Sequence, residues 1–242
     1  MEVTRDVRER FERLIDQWID DGADDYVDNY LGGRKTDIGF ALKSFICENC
    51  SHERAEGDIW FEYDFGATRA VVWTEEKDFV LKFNMDDELD YCADEVKLYE
   101  YASEKHLNQY LATIQPFCSR TIGSYNFQFY ICEYADCVTD KIIDSLDSRK
   151  YAEYVTISDY CGREVLSYSK WRYRYGSDDY DVSDDEIFDL FAEEEGWDER
   201  EALERFFDSY DVGDFHSANW GRINGRMVII DYAGFGRAGA IA

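Results

Sequence analysis

One residue restricts the folding of this chain more than any other: Lys82, in the middle of Phe79-Val-Leu-Lys-Phe83. Its apolar neighbours make this a strand with at least one face inside. A lysine buried there is costly unless it is paired. The strand therefore either lies where the ammonium can snorkel to water, or packs against an element that supplies a carboxylate. Two more strand-like runs precede it, Ile59-Trp-Phe-Glu-Tyr-Asp-Phe65 and Ala70-Val-Val-Trp73, separated by Gly66-Ala-Thr-Arg69. Three short strands with tight turns predict a small sheet over residues 59–83.

A candidate partner follows at once. Val96, Leu98, Tyr99 and Ala102 recur at helical spacing within residues 88–104, and Glu95 opens the stretch. Glu95 is the first choice for pairing with Lys82, with Glu100 as the alternative. Residues 107–111 read as a helical turn and residues 114–117 as a return to the sheet. Residues 120–124 and 127–133 read as a hairpin turning at Tyr125-Asn126. Upstream, Val7, Phe11, Leu14, Ile15, Trp18 and Ile19 mark one face of a helix over 4–21 that Gly22 stops. A second helix is expected over 24–31, and residues 38–46 fit either a helix or a buried strand.

The C-terminal part carries a second group of chemistry-bearing residues. Asp214-Phe-His-Ser-Ala-Asn219 is followed by Met227-Val-Ile-Ile230 and then Asp231. Gly221 and Asn224-Gly225 predict a turn between them, which brings Asn219 and Asp231 back to one end of a hairpin. Asn and Asp oxygens are hard ligands suited to Mg²⁺. Asp214 can orient, or accept the proton of, an attacking hydroxyl. Read singly, Asp231 is a strand-end cap and Asn219 a turn former.

At these residues the chain resembles the protein-kinase-like superfamily, closer to aminoglycoside kinases and short phage-encoded kinases than to eukaryotic enzymes. Asp214 and Asn219 match the spacing of the catalytic-loop Asp and Asn, and Asp231-Tyr232-Ala233 stands where D-F-G would. The chain departs at Val212-Gly213, where His-Arg is usual, and at Ala233. The resemblance implies an α+β, two-lobed fold. Residues 1–57 would be an N-terminal helical appendage, 58–134 an N-lobe with an antiparallel sheet and one helix, and 135–242 a reduced, mostly helical C-lobe. It implies ATP and Mg²⁺ as cofactors. Lys82 would bind phosphates, Glu95 would orient Lys82, Asp214 would position the acceptor, and Asn219 and Asp231 would hold metal. Gly66 and Thr68 fall in the position of the phosphate-covering loop, though a single glycine there is also an ordinary turn. Glu133 and Ala135 fall at the crossing that meets the adenine edge. His216 is a phosphate-side or loop-ordering candidate. The sequence runs eleven residues beyond Asp231, so the usual peptide-holding helices have no counterpart, and the implied C-lobe is truncated.

Charge narrows the partners. There are 54 acidic residues against 26 basic ones, for a formal net charge of −28. Such a chain has no basic field for nucleic-acid phosphates, and a nucleotide site in it needs local lysine and Mg²⁺. Positive partners are favoured: a protein substrate or a basic host protein. An acidic inhibitor, or nucleic-acid mimic, that binds a host protein is the competing reading, with a nucleotide-binding pseudokinase as a third. Residues 178–204 hold fourteen acidic residues and one arginine, Arg200. Ile187, Phe188, Leu190 and Phe191 interrupt them, which predicts a docked helix within the block. Lys170-Trp-Arg-Tyr-Arg174 is the strongest basic and aromatic cluster, read chiefly as satisfying internal carboxylates.

Hydrophobic residues make up 45% and aromatics 17% of the chain, enough for a packed core rather than disorder. No membrane-length apolar run and no signal-type N-terminus are present, so a soluble, cytoplasmic protein is expected, in the host cytoplasm if it is viral. The seven cysteines are expected to be mostly buried, reduced thiols. Cys47-Glu-Asn-Cys50 with His52 is half of a zinc pattern whose second ligand pair is missing.

Overall fold

The computed structural model describes residues 2–30, 38–50, 58–66, 68–85, 90–161, 164–176, 186–190, 199–210, 212 and 217–232. The chain is α+β and divides into two compact units, with the main crossing between Tyr134 and Ala135.

The first unit begins with three helices. Helix α1 (Arg5–Asp20) is capped by Thr4, whose hydroxyl accepts from the Val7 amide, the bond a Ser/Thr N-cap supplies. Its buried face is Val7, Phe11, Leu14, Ile15 and Trp18. Helices α2 (Ala23–Tyr30) and α3 (Ile38–Asn49) follow, so the ambiguous run at 38–46 is helical. Next come β1 (Phe61–Phe65), β2 (Arg69–Thr74), β3 (Phe79–Asn84), α4 (Tyr91–Glu104), β4 (Ile114–Ile122) and β5 (Tyr125–Glu133). A single 3-10 turn, Asn108–Tyr110, lies between α4 and β4. The five strands form one antiparallel sheet in the order β1-β2-β3-β5-β4.

Strand alternation splits this sheet into two faces. Ala70, Val72, Leu81, Phe83, Phe127, Phe129 and Ile131 pack with α1, α2 and α3 in one apolar core. Trp18 meets Phe61 edge-on at 5.7 Å and lies 6.5 Å from Phe129. Helices α1, α2 and α3, expected as part of an appendage, thus share their core with the sheet. The alternate residues Val71, Lys82 and Tyr130 are cross-strand neighbours and point to the opposite face, where α4 lies. Gly39 shows how closely α3 sits on the sheet: a Cβ there would run into the Asn84 carbonyl and the Met85 backbone.

One connection differs from expectation. The β4–β5 hairpin turns at Gly123-Ser124, not at Tyr125-Asn126. Gly123 has φ +60°, a conformation glycine adopts at little cost. The Gly123 amide donates to Asp24 Oδ1 at 2.8 Å and the Ser124 amide to Asp28 Oδ1 at 2.7 Å. Two aspartates of α2 hold this turn from a distance, and Gly123-Ser124 is itself a two-residue hairpin signal.

The second unit contains β6 (Asp136–Cys137), α5 (Thr139–Tyr160), α6 (Tyr168–Tyr175), a helical stretch at residues 186–190, α7 (Arg200–Tyr210), β7 (Trp220–Ile223) and β8 (Arg226–Ile229). The last two strands and β6 form an antiparallel sheet in the order β6-β7-β8. Asn224 and Gly225 carry φ +52° and +82° and sit between the paired Ile223 and Arg226, the geometry of a two-residue hairpin turn. In the acidic block, Ile187, Phe188 and Leu190 are buried, and Phe188 meets Trp220 edge-on at 5.3 Å. That stretch is docked, as its apolar residues predict. In the basic cluster, Arg172 pairs with Asp144 at 2.7 Å and Asp147 at 3.3 Å, while Trp171 packs among Tyr151, Tyr154 and Tyr168. Among the described residues no helix is long and apolar enough to cross a membrane.

Candidate functional site

The residues singled out above fall into two sets, one in each compact unit. The first is built on the α4 face of the five-stranded sheet. Lys82 is buried, and its Nζ donates to Glu95 Oε2 at 3.0 Å and Oε1 at 3.3 Å. Glu95 is fully buried on α4. Glu100, the alternative partner, is exposed, because five residues along a helix turns it away from the sheet. The ammonium thus does not snorkel. Its burial is compensated by a charge-assisted pair, as a buried lysine requires.

A third charge belongs to this set, and sequence reasoning did not single it out. Arg69 opens β2, is buried, and donates from Nη1 to Glu95 Oε1 at 3.0 Å. Its guanidinium also lies 5.6 Å from the centre of the Tyr91 ring. The register explains its place: Val71 faces Lys82 across the ladder, and Arg69, two residues earlier, is on the same side of the sheet. The signal was present only as an arginine two positions before the residue that pairs with Lys82, which no local pattern reveals.

The first turn of α4 is tied to the same sheet face. Asp90 caps the helix by accepting from the Ala93 amide at 2.9 Å. Its Oδ2 accepts from the Tyr130 hydroxyl at 2.6 Å, and its Oδ1 accepts from Asn84 Nδ2. Asn84 Oδ1 in turn accepts from the Cys92 amide at 3.1 Å. Burial, with Asp90 adding to it, pushes the Tyr130 phenol well up, so it stays a donor. Burial also pushes the Cys92 thiol far up, with Glu95 contributing. That neighbouring thiol is not a nucleophile at neutral pH.

Gly66 is exposed, and its amide donates to the Arg69 carbonyl at 3.0 Å. A Cβ there would meet only ordinary van der Waals contact, so the turn does not demand glycine. The Thr68 carbonyl accepts from the Met85 amide at 2.8 Å, extending the β2–β3 ladder. The Glu133 amide donates to the Thr113 carbonyl at 3.1 Å, and its carboxylate accepts from the Thr113 amide at 3.3 Å. That amide is used inside the sheet and is not a donor for an adenine edge. Tyr134 closes the unit, its amide on the Asp78 carbonyl at 3.1 Å and its ring 6.0 Å from that of Trp73.

The second set lies in the second unit. Trp220 pairs with Ile229, and the Ile230 amide donates to the Asn219 carbonyl at 2.8 Å. The hairpin thereby brings Asn219 and Asp231 to its open end. Asn219 is buried and Asp231 half-buried. Ala135 is half-buried at the start of this unit, beside Gly221. Asp214 and His216 lie outside the described residues. Val212, just before them, is buried and closes α7 through its amide on the Phe207 carbonyl at 3.1 Å.

One amide oxygen and one carboxylate at a common strand end form a donor set that Mg²⁺ accepts. This ion keeps several waters and takes one or two carboxylates plus substrate phosphates. Soft or borderline metals fit less well. Among the described residues no group of three or more His, Cys, Asp or Glu side chains gathers. Cys47 is exposed, and burial holds the Cys50 thiol up at about 12. His52 lies outside the described residues. The seven cysteines are all free, with Cys92 and Cys132 buried and Cys47, Cys137 and Cys161 exposed. Fewer are buried than the sequence suggests.

Comparison of the chain with protein-family models, with curated proteins and with solved structures found no match in any of the three.

Proposed function

We propose that the protein is an ATP- and Mg²⁺-dependent phosphotransferase with a two-lobed, protein-kinase-like fold and a reduced C-lobe. The observation that carries this reading is the buried Lys82–Glu95 pair between a sheet and the helix that follows β3, at 3.0 Å. In chain order it precedes a hairpin end bearing Asn219 and Asp231. An antiparallel sheet that holds a lysine against a helix carboxylate suits the grip on nucleotide phosphates in phosphoryl transfer.

Mg-ATP, when bound, supplies the phosphoryl group to be transferred. Lys82 neutralises phosphate oxygens, and Glu95 fixes the direction of the ammonium. Asn219 and Asp231 hold the metal. Asp214 orients the acceptor hydroxyl and accepts its proton. Gly66 and Thr68 lie in the loop that would cover the phosphates, and Glu133 and Ala135, in the segment Glu133-Tyr134-Ala135, would meet the base. His216 contributes on the phosphate side. These roles are positioning and charge neutralisation rather than covalent chemistry. The acceptor class favoured is a Ser/Thr side chain of a basic protein in the cytoplasm, that of the host if the chain is viral, since a net charge of −28 attracts cationic surfaces and repels nucleic acids.

The same charge supports a second reading: an acidic, non-catalytic protein that occupies a basic site of a host protein. A pseudokinase that holds nucleotide without transfer is intermediate. Transfer of labelled γ-phosphate to protein substrate separates the three. The phosphotransferase labels substrate, and Asp214→Ala abolishes labelling with the fold retained. Nucleotide binding without labelling identifies the pseudokinase. A salt-sensitive complex formed without ATP identifies the acidic inhibitor.

A further inference from the structure

The charge arrangement around Glu95 goes beyond a two-residue pair. Its carboxylate receives two cations from two strands: Lys82 from β3, at 3.0 and 3.3 Å, and Arg69 from β2, at 3.0 Å. Oε1 is shared by both, and Oε2 takes the shorter bond from Lys82. The side chains of Arg69 and Lys82 are 7% and 6% exposed and that of Glu95 is 0%, so all three interact with little screening by water.

The Lys82 ammonium gives two of its three N–H donors to Glu95, and an added phosphate oxygen competes with that carboxylate for the same charge. Removing one partner of a buried pair is the costly event, more than the pair itself is worth. Arg69 changes this. Its guanidinium is permanently charged, and its fork fixes direction. It is pinned by position at the head of β2 and by the Tyr91 ring at 5.6 Å. It holds Glu95 whatever Lys82 does.

We propose that Arg69 is a positioning residue for nucleotide binding. It keeps Glu95 oriented and charge-balanced, so that the Lys82 ammonium can be shared with a phosphate oxygen. The proposal rests on the phosphotransferase reading. The anion it serves is the phosphate chain of a nucleotide, not its base or sugar. Arg69 acts through Glu95.

The test is calorimetric titration of the full chain with Mg-ATP and with adenosine. Wild type, Arg69→Met, Arg69→Lys, Glu95→Gln and the Arg69→Met/Glu95→Gln double variant are compared, each checked for a folded circular-dichroism spectrum. Arg69→Met is expected to weaken Mg-ATP binding by about tenfold or more, the worth of one charged hydrogen bond, while adenosine binding is unchanged. Arg69→Lys is expected to recover part of the loss. In the Glu95→Gln background, Arg69→Met is expected to have no further effect on Mg-ATP. If Arg69→Met does not fold, Arg69→Lys against wild type carries the test, with a smaller loss confined to Mg-ATP. Equal Mg-ATP affinity in wild type and the folded Arg69 variants overturns the role of Arg69 alone. So does a full loss that persists without Glu95, or an equal loss for adenosine. Failure of the wild type to bind Mg-ATP overturns the nucleotide reading itself, and this proposal with it.

Discussion

Replacing Glu95 by glutamine should destabilise the protein far more than replacing Lys82 by methionine, and the structure sets the difference. Glutamine keeps the shape of Glu95 and can still accept hydrogen bonds, but it removes a carboxylate that faces both Lys82 and Arg69 at 3.0 Å. Two cations with side chains 6–7% exposed then lose that shared counter-charge. Breaking a buried pair from one side costs about 3–5 kcal/mol. At about 2–4 °C per kcal/mol for a chain in the 150–250-residue range, the melting temperature falls by roughly 6–20 °C. Lys82→Met leaves Arg69 on Glu95 and places an apolar side chain in an apolar strand. Its cost is that of one charged hydrogen bond, about 1.5–3 kcal/mol, less the gain from burying a thioether. The assay is thermal unfolding followed by far-ultraviolet circular dichroism at neutral pH, with urea midpoints as a check. A loss in Lys82→Met equal to or above that in Glu95→Gln would refute the reasoning, because Lys82 would then be the whole charge balance of Glu95.

Gly39→Ala should cost about 2–3 kcal/mol or more, because the added Cβ meets the backbone of Asn84 and Met85 rather than a flexible side chain; an unchanged urea midpoint would mean that α3 does not sit this close to β3. The cysteines should alkylate in an order set by exposure and thiol pKa. Cys47, Cys137 and Cys161 are exposed and should react with iodoacetamide first. Burial raises Cys118 to about 11 and Cys50 to about 12, so their thiolate fractions are small at pH 8 and their rates should climb as pH rises toward those values. Cys92, fully buried and with its thiol also pushed up by burial, should react only after unfolding. Fast labelling of Cys92 in the native protein, read by peptide mass spectrometry, would contradict the packing of α4.

Patterns that carry their own physical cause were legible before any coordinates. The apolar stripe of α1, the three strands up to Lys82, the helix that carries Glu95 and the Asn224-Gly225 turn are each set by nearest neighbours and by the need to bury or pair a group. The cost of a buried ammonium pointed to a carboxylate behind the strand. What stayed hidden depends on register and on contacts distant in sequence. Arg69 joins Glu95 only because Val71 faces Lys82. Asp90 binds Tyr130 across forty positions. Asp24 and Asp28 of α2 bind the amides of the β4–β5 turn across 99 and 96 positions. Helix α5 runs unbroken from Thr139 to Tyr160. The N-terminal helices read as an appendage packed on the sheet, and the stripe shows that a face is buried but not which residues bury it.

The central claim is that this chain moves a phosphoryl group from Mg-ATP. The direct measurement is incorporation of label from [γ-³²P]ATP into a basic Ser/Thr-containing protein, with Mg²⁺ and with the metal chelated. Alongside wild type it includes Lys82→Met, Asp231→Asn and Asp214→Ala, each with a retained circular-dichroism spectrum. The account predicts labelling by the wild type that vanishes on chelation and falls by orders of magnitude in all three variants. Labelling that persists in the folded Lys82→Met and Asp231→Asn variants, or none by the wild type across basic substrates, would contradict it.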